Sequence, residues 1–140
     1  WTRNLAAIGL RTEFLVQKWP ELNKMAEAGQ LQIWNLAWIT NVPDADSFYS
    51  PLYSRNIGLS NDARLKLAEY DQAYERMRAL PEGSERQATY RRMNELVVAY
   101  APWILETYSY QNRLAQPWLR GLRLHPFLQA PWMYYGVDQQ

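Results

Sequence analysis

The stretch Tyr70–Val97, YDQAYERMRALPEGSERQATYRRMNELV, reads as two successive helices. The first starts in the region Leu67–Asp71 and places Tyr70, Tyr74 and Met77 four and three residues apart, on one stripe of a helical surface. The second opens on SERQ (Ser84–Gln87), the pattern of a capping box in which Ser84 and Gln87 satisfy opposite orphan amides. Its apolar stripe is Met93, Leu96, Val97 and Tyr100, and Pro102 marks the exit. The arginines of ERQATYRR lie among Glu82, Glu85 and Glu95, the pattern of a solvated, ion-paired face.

Upstream, Leu36–Ser54 (LAWITNVPDADSFYSPLYS) ends an apolar, aromatic run on a proline turn and then sets two aspartates before another aromatic segment. Asp44 and Asp46 admit two readings: a carboxylate pair for catalysis, or caps for a short helix that is interrupted at Pro51. Two residues apart at a helix start, they sit on neighbouring amides and not across a cleft, which favours capping. Before this turn, Arg11–Gln17 and Leu31–Ile39 are rich in strand formers, and Leu31–Ile39 is apolar at nearly every position of its second half. Between them Pro20 and Gly29 bracket a helix. Strand, helix, strand predicts a βαβ-type unit, and WTRNLAAIGL predicts a short first helix that stops at Gly9. Downstream, WILETYSY (Trp103–Tyr110) alternates like a strand, with Glu106, Tyr108 and Tyr110 on one face, and the remainder mixes short strands with proline turns. The pattern predicts one α/β unit over residues 1–140, a mixed sheet with flanking helices and no internal domain boundary.

Composition narrows the function classes. The chain has 140 residues, 48% of them hydrophobic, with seven Trp and ten Tyr, so it can bury a core and still present aromatic surface to a ligand, a glycan or a protein. A net charge of +1 without a run of like charges argues against nucleic-acid binding. There is no cysteine, which removes disulfides and thiolate chemistry. His125 is the sole histidine and has no second ligand at metal spacing, so a structural role in its turn is expected and no metal or cofactor is predicted. No Ser-His-Asp order or phosphate loop is present, and no enzymatic activity is predicted. The opening WTRNLAAIGLRTEF reads like the interior of a domain, which predicts a segment of a longer protein.

Four stretches, in order, carry a family resemblance. NLAAIGLRTEF is similar to a helix ending in "iGi" that leads to a strand. AWITNVPDADSF resembles a tryptophan followed by "D-Y-P-D-P" and a phenylalanine. The paired helices of Tyr70–Val97 and the RLAQPWLRGL stretch, similar to an "R-L-x-x-P-W-x-x-G" signature, complete the set. Together they resemble the C-terminal part of the family 5 extracellular solute-binding proteins of bacterial ABC importers, the oligopeptide-, dipeptide- and nickel-binding type. The resemblance implies part of one lobe of a bilobal, type II periplasmic-binding-protein fold. It further implies a periplasmic or membrane-associated extracellular location, and a precursor with a signal peptide. Its function would be capture of a peptide-like or other small polar solute by hinge closure, with delivery to membrane permease subunits. In open α/β sheets ligands lie beyond strand ends, so Trp38, Thr40 and Asn41 are candidate ligand contacts, with Tyr108 beside them. In peptide-binding relatives an aspartate at the position of Asn41 can pair with a ligand amine; an asparagine supplies no charge. Ala45 also replaces a proline of the pattern. A segment of such a lobe is expected to self-associate through uncovered apolar surface. The alternative reading is a non-transport module that binds protein or glycan through exposed Trp and Tyr.

Overall fold

The computed structural model describes residues 1–40, 42–108, 110, 112–123 and 130–138. Its centre is an antiparallel-style helix pair, α4 (Ala68–Ala79) and α5 (Ser84–Tyr100), which make the most extensive contact between any two elements. The stripe spacing places Tyr70, Tyr74 and Met77 on the inner face of α4, and Met93 and Leu96 on the inner face of α5, all buried. Val97 packs at the edge of this core, while Tyr100 is largely exposed. Glu69 and Asp71 lie in the first turn of α4 and Arg76 and Arg78 in its last, the order the helix dipole favours. Helix α5 stops at Ala101, whose φ of +45° turns the chain out of the helix directly before Pro102.

The capping box does not form. Ser84 is already the first residue of α5, Gly83 occupies the cap position, and no side chain bonds the helix start. A hydroxyl one residue inside the helix is misplaced for the amides it would have to meet.

The rest of the core comes from the stretch before α4. Helix α3 (Asp46–Tyr49) passes at Pro51 into a 3-10 turn (Ser50–Leu52), and a second such turn spans Ser54–Asn56. Leu52 and Tyr53 drop from these turns into the α4/α5 core. The following loop is held by Asn61, which is fully buried: its amide donates to the carbonyls of Tyr53 and Leu65 (3.0 Å each) and accepts the Leu65 amide (3.1 Å). Asp71 accepts both the amide (2.9 Å) and the hydroxyl of Ser54, tying the same loop to the start of α4.

Helices α1 (Thr2–Ala7) and α2 (Trp19–Glu27) form where the punctuation placed them. Pro20 lies in the first turn of α2, where its missing N–H costs nothing. Gly29 ends the turn beyond α2 at φ +70°; a Cβ there would lie 2.2 Å from the Arg64 side chain, whose Nη2 donates to the Glu27 carbonyl (2.7 Å). Downstream, β1 (Leu119–Arg120) pairs antiparallel with β2 (Gly136–Val137), with a 3-10 turn at Pro131–Tyr134 between them.

The mixed sheet is otherwise not realised. Among the described residues neither 11–17 nor 31–39 is a strand, nor is the 103–110 stretch, and the βαβ unit predicted from them is absent. A strand requires a neighbour for its amides and carbonyls, and a both-sided apolar pattern requires cover on both faces. These segments have neither: Val16 is 90% exposed, and Phe14, Ile33, Ile39, Ile104 and Leu105 are exposed as well. Strand propensity alone does not make a strand. His125 lies outside the described residues.

Asn61 offers a direct test of what holds the core loop. Asn61→Ala leaves the Leu65 amide and carbonyl without their partner, while the Tyr53 carbonyl keeps only the Asn56 amide (3.0 Å), and should cost about 3 kcal/mol of unfolding free energy. Urea unfolding measures this; a loss under about 1 kcal/mol would mean that water replaces the amide and that the loop does not depend on it.

Candidate functional site

The segment from Trp38 to Ser47 leaves the irregular run before it, turns at Pro43 and enters α3. Its shape is fixed from inside. The Trp38 indole N–H donates to the Ser47 carbonyl (2.9 Å), closing a ten-residue loop. The Thr40 hydroxyl donates to the Val42 carbonyl (2.9 Å) and accepts the Val42 amide (3.2 Å). One Asp44 oxygen accepts the Asp46 amide (2.7 Å), the local turn that Asp forms most readily.

Its placement is fixed from outside, by the same two aspartates. Asp44 pairs with Arg86 of α5 through both oxygens (3.0 and 3.2 Å), and Asp46 accepts the Tyr74 hydroxyl of α4 (2.8 Å). At the far end of the loop Tyr49 stacks on Tyr90 of α5, ring centroids 5.2 Å apart and nearly parallel. The Tyr49 hydroxyl donates to Asn94 (3.1 Å), and its carbonyl accepts the Tyr70 hydroxyl (2.9 Å). The Asp46 amide, reinforced by the Arg86 guanidinium, holds the Asp44 carboxyl below the usual carboxylate range. A carboxylate held ionised by two donors is no general acid, and its neighbour is committed to a phenol. Neither aspartate occupies the cap position of α3, which is Ala45 and carries no side-chain cap; Asp44, one residue earlier, accepts the amide of the first helical residue, Asp46, and Asp46 takes a side chain instead.

Arg86 is the residue that sequence reasoning placed wrongly. The charged face of α5 is solvated at Arg92, which pairs with Glu69 and with Glu95 (2.8 Å), and at Glu85, which pairs with Arg76 (2.6 Å). Arg86 instead turns inward, its side chain only 11% exposed. The signal was present in the helical register: Arg86 precedes Thr89, Tyr90 and Met93 by three, four and seven residues, the spacing of a single face. An open groove of about 410 Å³ lies between α4 and α5, but the charges on its walls, Glu69 with Arg92 and Arg76 with Glu85, neutralise one another.

The four residues singled out for ligand contact are placed unevenly. Trp38 is 43% exposed although its N–H is engaged, so the ring presents a face while its polar edge is anchored. Thr40 is half-buried, Asn41 lies outside the described residues, and Tyr108 is 96% exposed. The Asn35 side-chain amide donates to Glu106 (3.2 Å), which brings the stretch before Trp38 against the stretch before Tyr108. Glu106 thus accepts from a neutral amide. Among the described residues no group of three or more metal-ligating side chains occurs.

Comparison with known proteins gives three informative relatives. Heme-binding protein A of Haemophilus influenzae is 32% identical over 137 residues, 95% of this chain. Di/tripeptide-binding proteins 2 and 4 of Pseudomonas aeruginosa are each 26% identical, over 129 and 125 residues, 88% of the chain in both cases. The chain spans about a quarter (24%) of the length of each. No family model matches, and no solved structure matches.

Titration of Asp44 supplies a prediction. Because its folded-state value lies below the ordinary 3.8, the stabilisation is present above that value and is lost as pH falls through the folded-state value. Asp44→Ala should therefore cost about 1 kcal/mol near neutral pH, the scale of a lost cap, since the pair is partly open to solvent. The difference from wild type should shrink in acid below 3.8, read by urea unfolding across the pH range. A difference that persists there would assign the effect to packing.

Proposed function

We propose, from the premise that this chain is homologous over nearly its whole length to the family 5 extracellular solute-binding proteins of ABC importers, that it supplies one lobe's share of a solute cleft. These relatives are binding proteins and not enzymes, and in Gram-negative bacteria they are periplasmic. They have the type II periplasmic-binding-protein fold, and the mixed helices and small sheet seen here are compatible with part of a lobe. In this reading residues 1–140 are one undivided segment toward the C-terminus of a longer receptor. The receptor takes up a small solute, closes about a hinge and presents it to membrane permease subunits. The ligand contacts are Trp38, Thr40, Asn41 and Tyr108.

The observation that carries this reading is the state of Trp38. Its N–H is bonded within the loop while much of its ring stays open, so the aromatic face is held in one orientation and offered outward. Rigid aromatic area at low entropic cost suits small-ligand clefts. The names of the relatives supply two probe classes, hemin and di- or tripeptides. An asparagine at position 41 gives a peptide amine no countercharge, which favours ligands that do not depend on one.

The exposed apolar side chains of 11–17, 31–39 and 104–108 belong to the same proposal: in a protein of the relatives' length, further chain covers them as neighbouring strands. Studied as 140 residues alone, the chain should self-associate through these faces, giving sedimentation that depends on concentration. A compact monomer at all concentrations would contradict it.

Small molecules co-purifying with the full-length protein, identified by unbiased mass spectrometry, should include a discrete solute. Trp38→Ala should weaken that solute's binding about tenfold, and Trp38→Phe less, since it keeps ring area and loses only the anchor. Calorimetric titration beside thermal unfolding decides this; unchanged affinity in a folded Trp38→Ala protein would remove the residue from the cleft.

A further inference from the structure

We propose that Arg86 is the positioning residue of the Trp38–Ser47 loop, fixing the direction in which Trp38 and Thr40 face without itself meeting a ligand. The consequence for binding rests on the solute-cleft reading above; the positioning role does not.

The contacts of the loop divide into two kinds. Trp38 to Ser47, Thr40 to Val42 and Asp44 to Asp46 lie within the loop, so they set its shape and would survive if it swung as a body. Two contacts from its aspartates leave it, one to each helix: Asp46 with Tyr74 on α4, and Asp44 with Arg86 on α5. A single hydrogen bond leaves rotation about its axis free. Two anchors on different helices, with the chain continuing directly into α3, remove that freedom. The stacked Tyr49–Tyr90 pair secures only the end where the loop enters α3. On the Trp38 side, the Asp44–Arg86 pair is therefore the contact that decides orientation.

Arg86 is built as a fixed post. One terminal nitrogen pairs with Glu82 and the other with Asp44, while the guanidinium lies over the Tyr90 ring, 5.6 Å from its centroid. The Met77 sulfur lies 3.6 Å from the nitrogen that holds Asp44. A planar cation with forked donors can meet two carboxylates and an aromatic face together; a lysine ammonium cannot. Burial is incompletely compensated, because Nε is enclosed without a hydrogen-bond partner among the described residues. A group that carries such a cost is better explained by geometry than by stability.

The test uses the full-length protein and hydrogen–deuterium exchange read by mass spectrometry. In Arg86→Met, amides of residues 38–47 should exchange about tenfold faster while those of α4 and α5 keep their protection. Arg86→Lys should fall between, and Asp44→Asn should match Arg86→Met. The double variant should be no looser than either single, the signature of one shared contact. Unchanged exchange in 38–47 would overturn the proposal. So would deprotection spread evenly through α4 and α5, which would make Arg86 a support of the helix pair. If Arg86→Met does not fold, Asp44→Asn carries the same comparison without touching either helix. Titration of wild type and Arg86→Met with hemin and with a mixture of di- and tripeptides separates the two readings. A loosened loop with weakened binding supports both. A loosened loop with unchanged binding keeps the positioning role and overturns the solute-cleft assignment of Trp38 and Thr40.

Discussion

The structure depends on how buried tyrosines satisfy their hydroxyls. Tyr70 and Tyr74 face the α4/α5 interface, where apolar burial favours the ring but leaves a polar oxygen to be met. Burial pushes both phenols well above their ordinary range, so both stay protonated donors at any physiological pH. Each therefore needs an acceptor, and each finds it in the segment leading into and through α3: Tyr70 at the Tyr49 carbonyl, Tyr74 at the Asp46 carboxylate. Tyr53 returns the arrangement, reaching from that segment to Glu75 on α4 (2.5 Å). The helices could pack with phenylalanines in these places. The hydroxyls add direction, because a loop that supplies acceptors at two points can lie on the pair in only one way.

The same constraint ranks the remaining interactions. The ion pairs of Arg76 with Glu85 and of Arg92 with Glu69 and Glu95 are open to solvent, where such pairs add little to stability. They decorate the helix pair more than they hold it. Asn61 matters more per residue, because its polar atoms work where water is excluded, and Arg86 differs from the surface arginines in that its own side chain is largely buried although Asp44 stays partly open. Both join the chain before α4 to something else: Asn61 closes the loop on itself, and Arg86 joins it to α5. The body and the candidate rim are thus linked by part-buried polar contacts, not by apolar area alone.

Helices were legible in the sequence because they are local. The Tyr70, Tyr74, Met77 stripe, Pro20, Gly29 and Pro102 each act within a few residues of where they stand, and α2, α4 and α5 follow them closely. Strands were not, because a strand is a relation between distant segments. Arg11–Gln17 and Leu31–Ile39 have the composition of strands and no strand partner within the described residues, so they stay irregular and largely exposed. The SERQ pattern failed for a local reason, a helix that starts one residue early, at Ser84 itself. Arg86 failed because an arginine amid glutamates was assigned by charge when its register matched Met93 and Tyr90. At the candidate site, the aspartates' involvement with α3 was legible; their reach to Tyr74 and Arg86, 28 and 42 residues away, was not.

That reach answers what two aspartates do between a tryptophan and a helix. Catalysis by a carboxylate pair needs one group ready to give or take a proton and both facing a substrate. Here one carboxylate is held ionised by an amide and a guanidinium, the other is occupied by a buried phenol, and they point to different helices. The arrangement instead suits a surface that must keep its shape when a ligand arrives. Trp38 needs no rearrangement to present its ring, since its indole N–H is bonded to Ser47 beforehand. Side-chain freedom removed during folding is not lost again on binding. A loop clamped to two helices and closed upon itself therefore fits the proposed solute cleft better than it fits a carboxylate-pair mechanism.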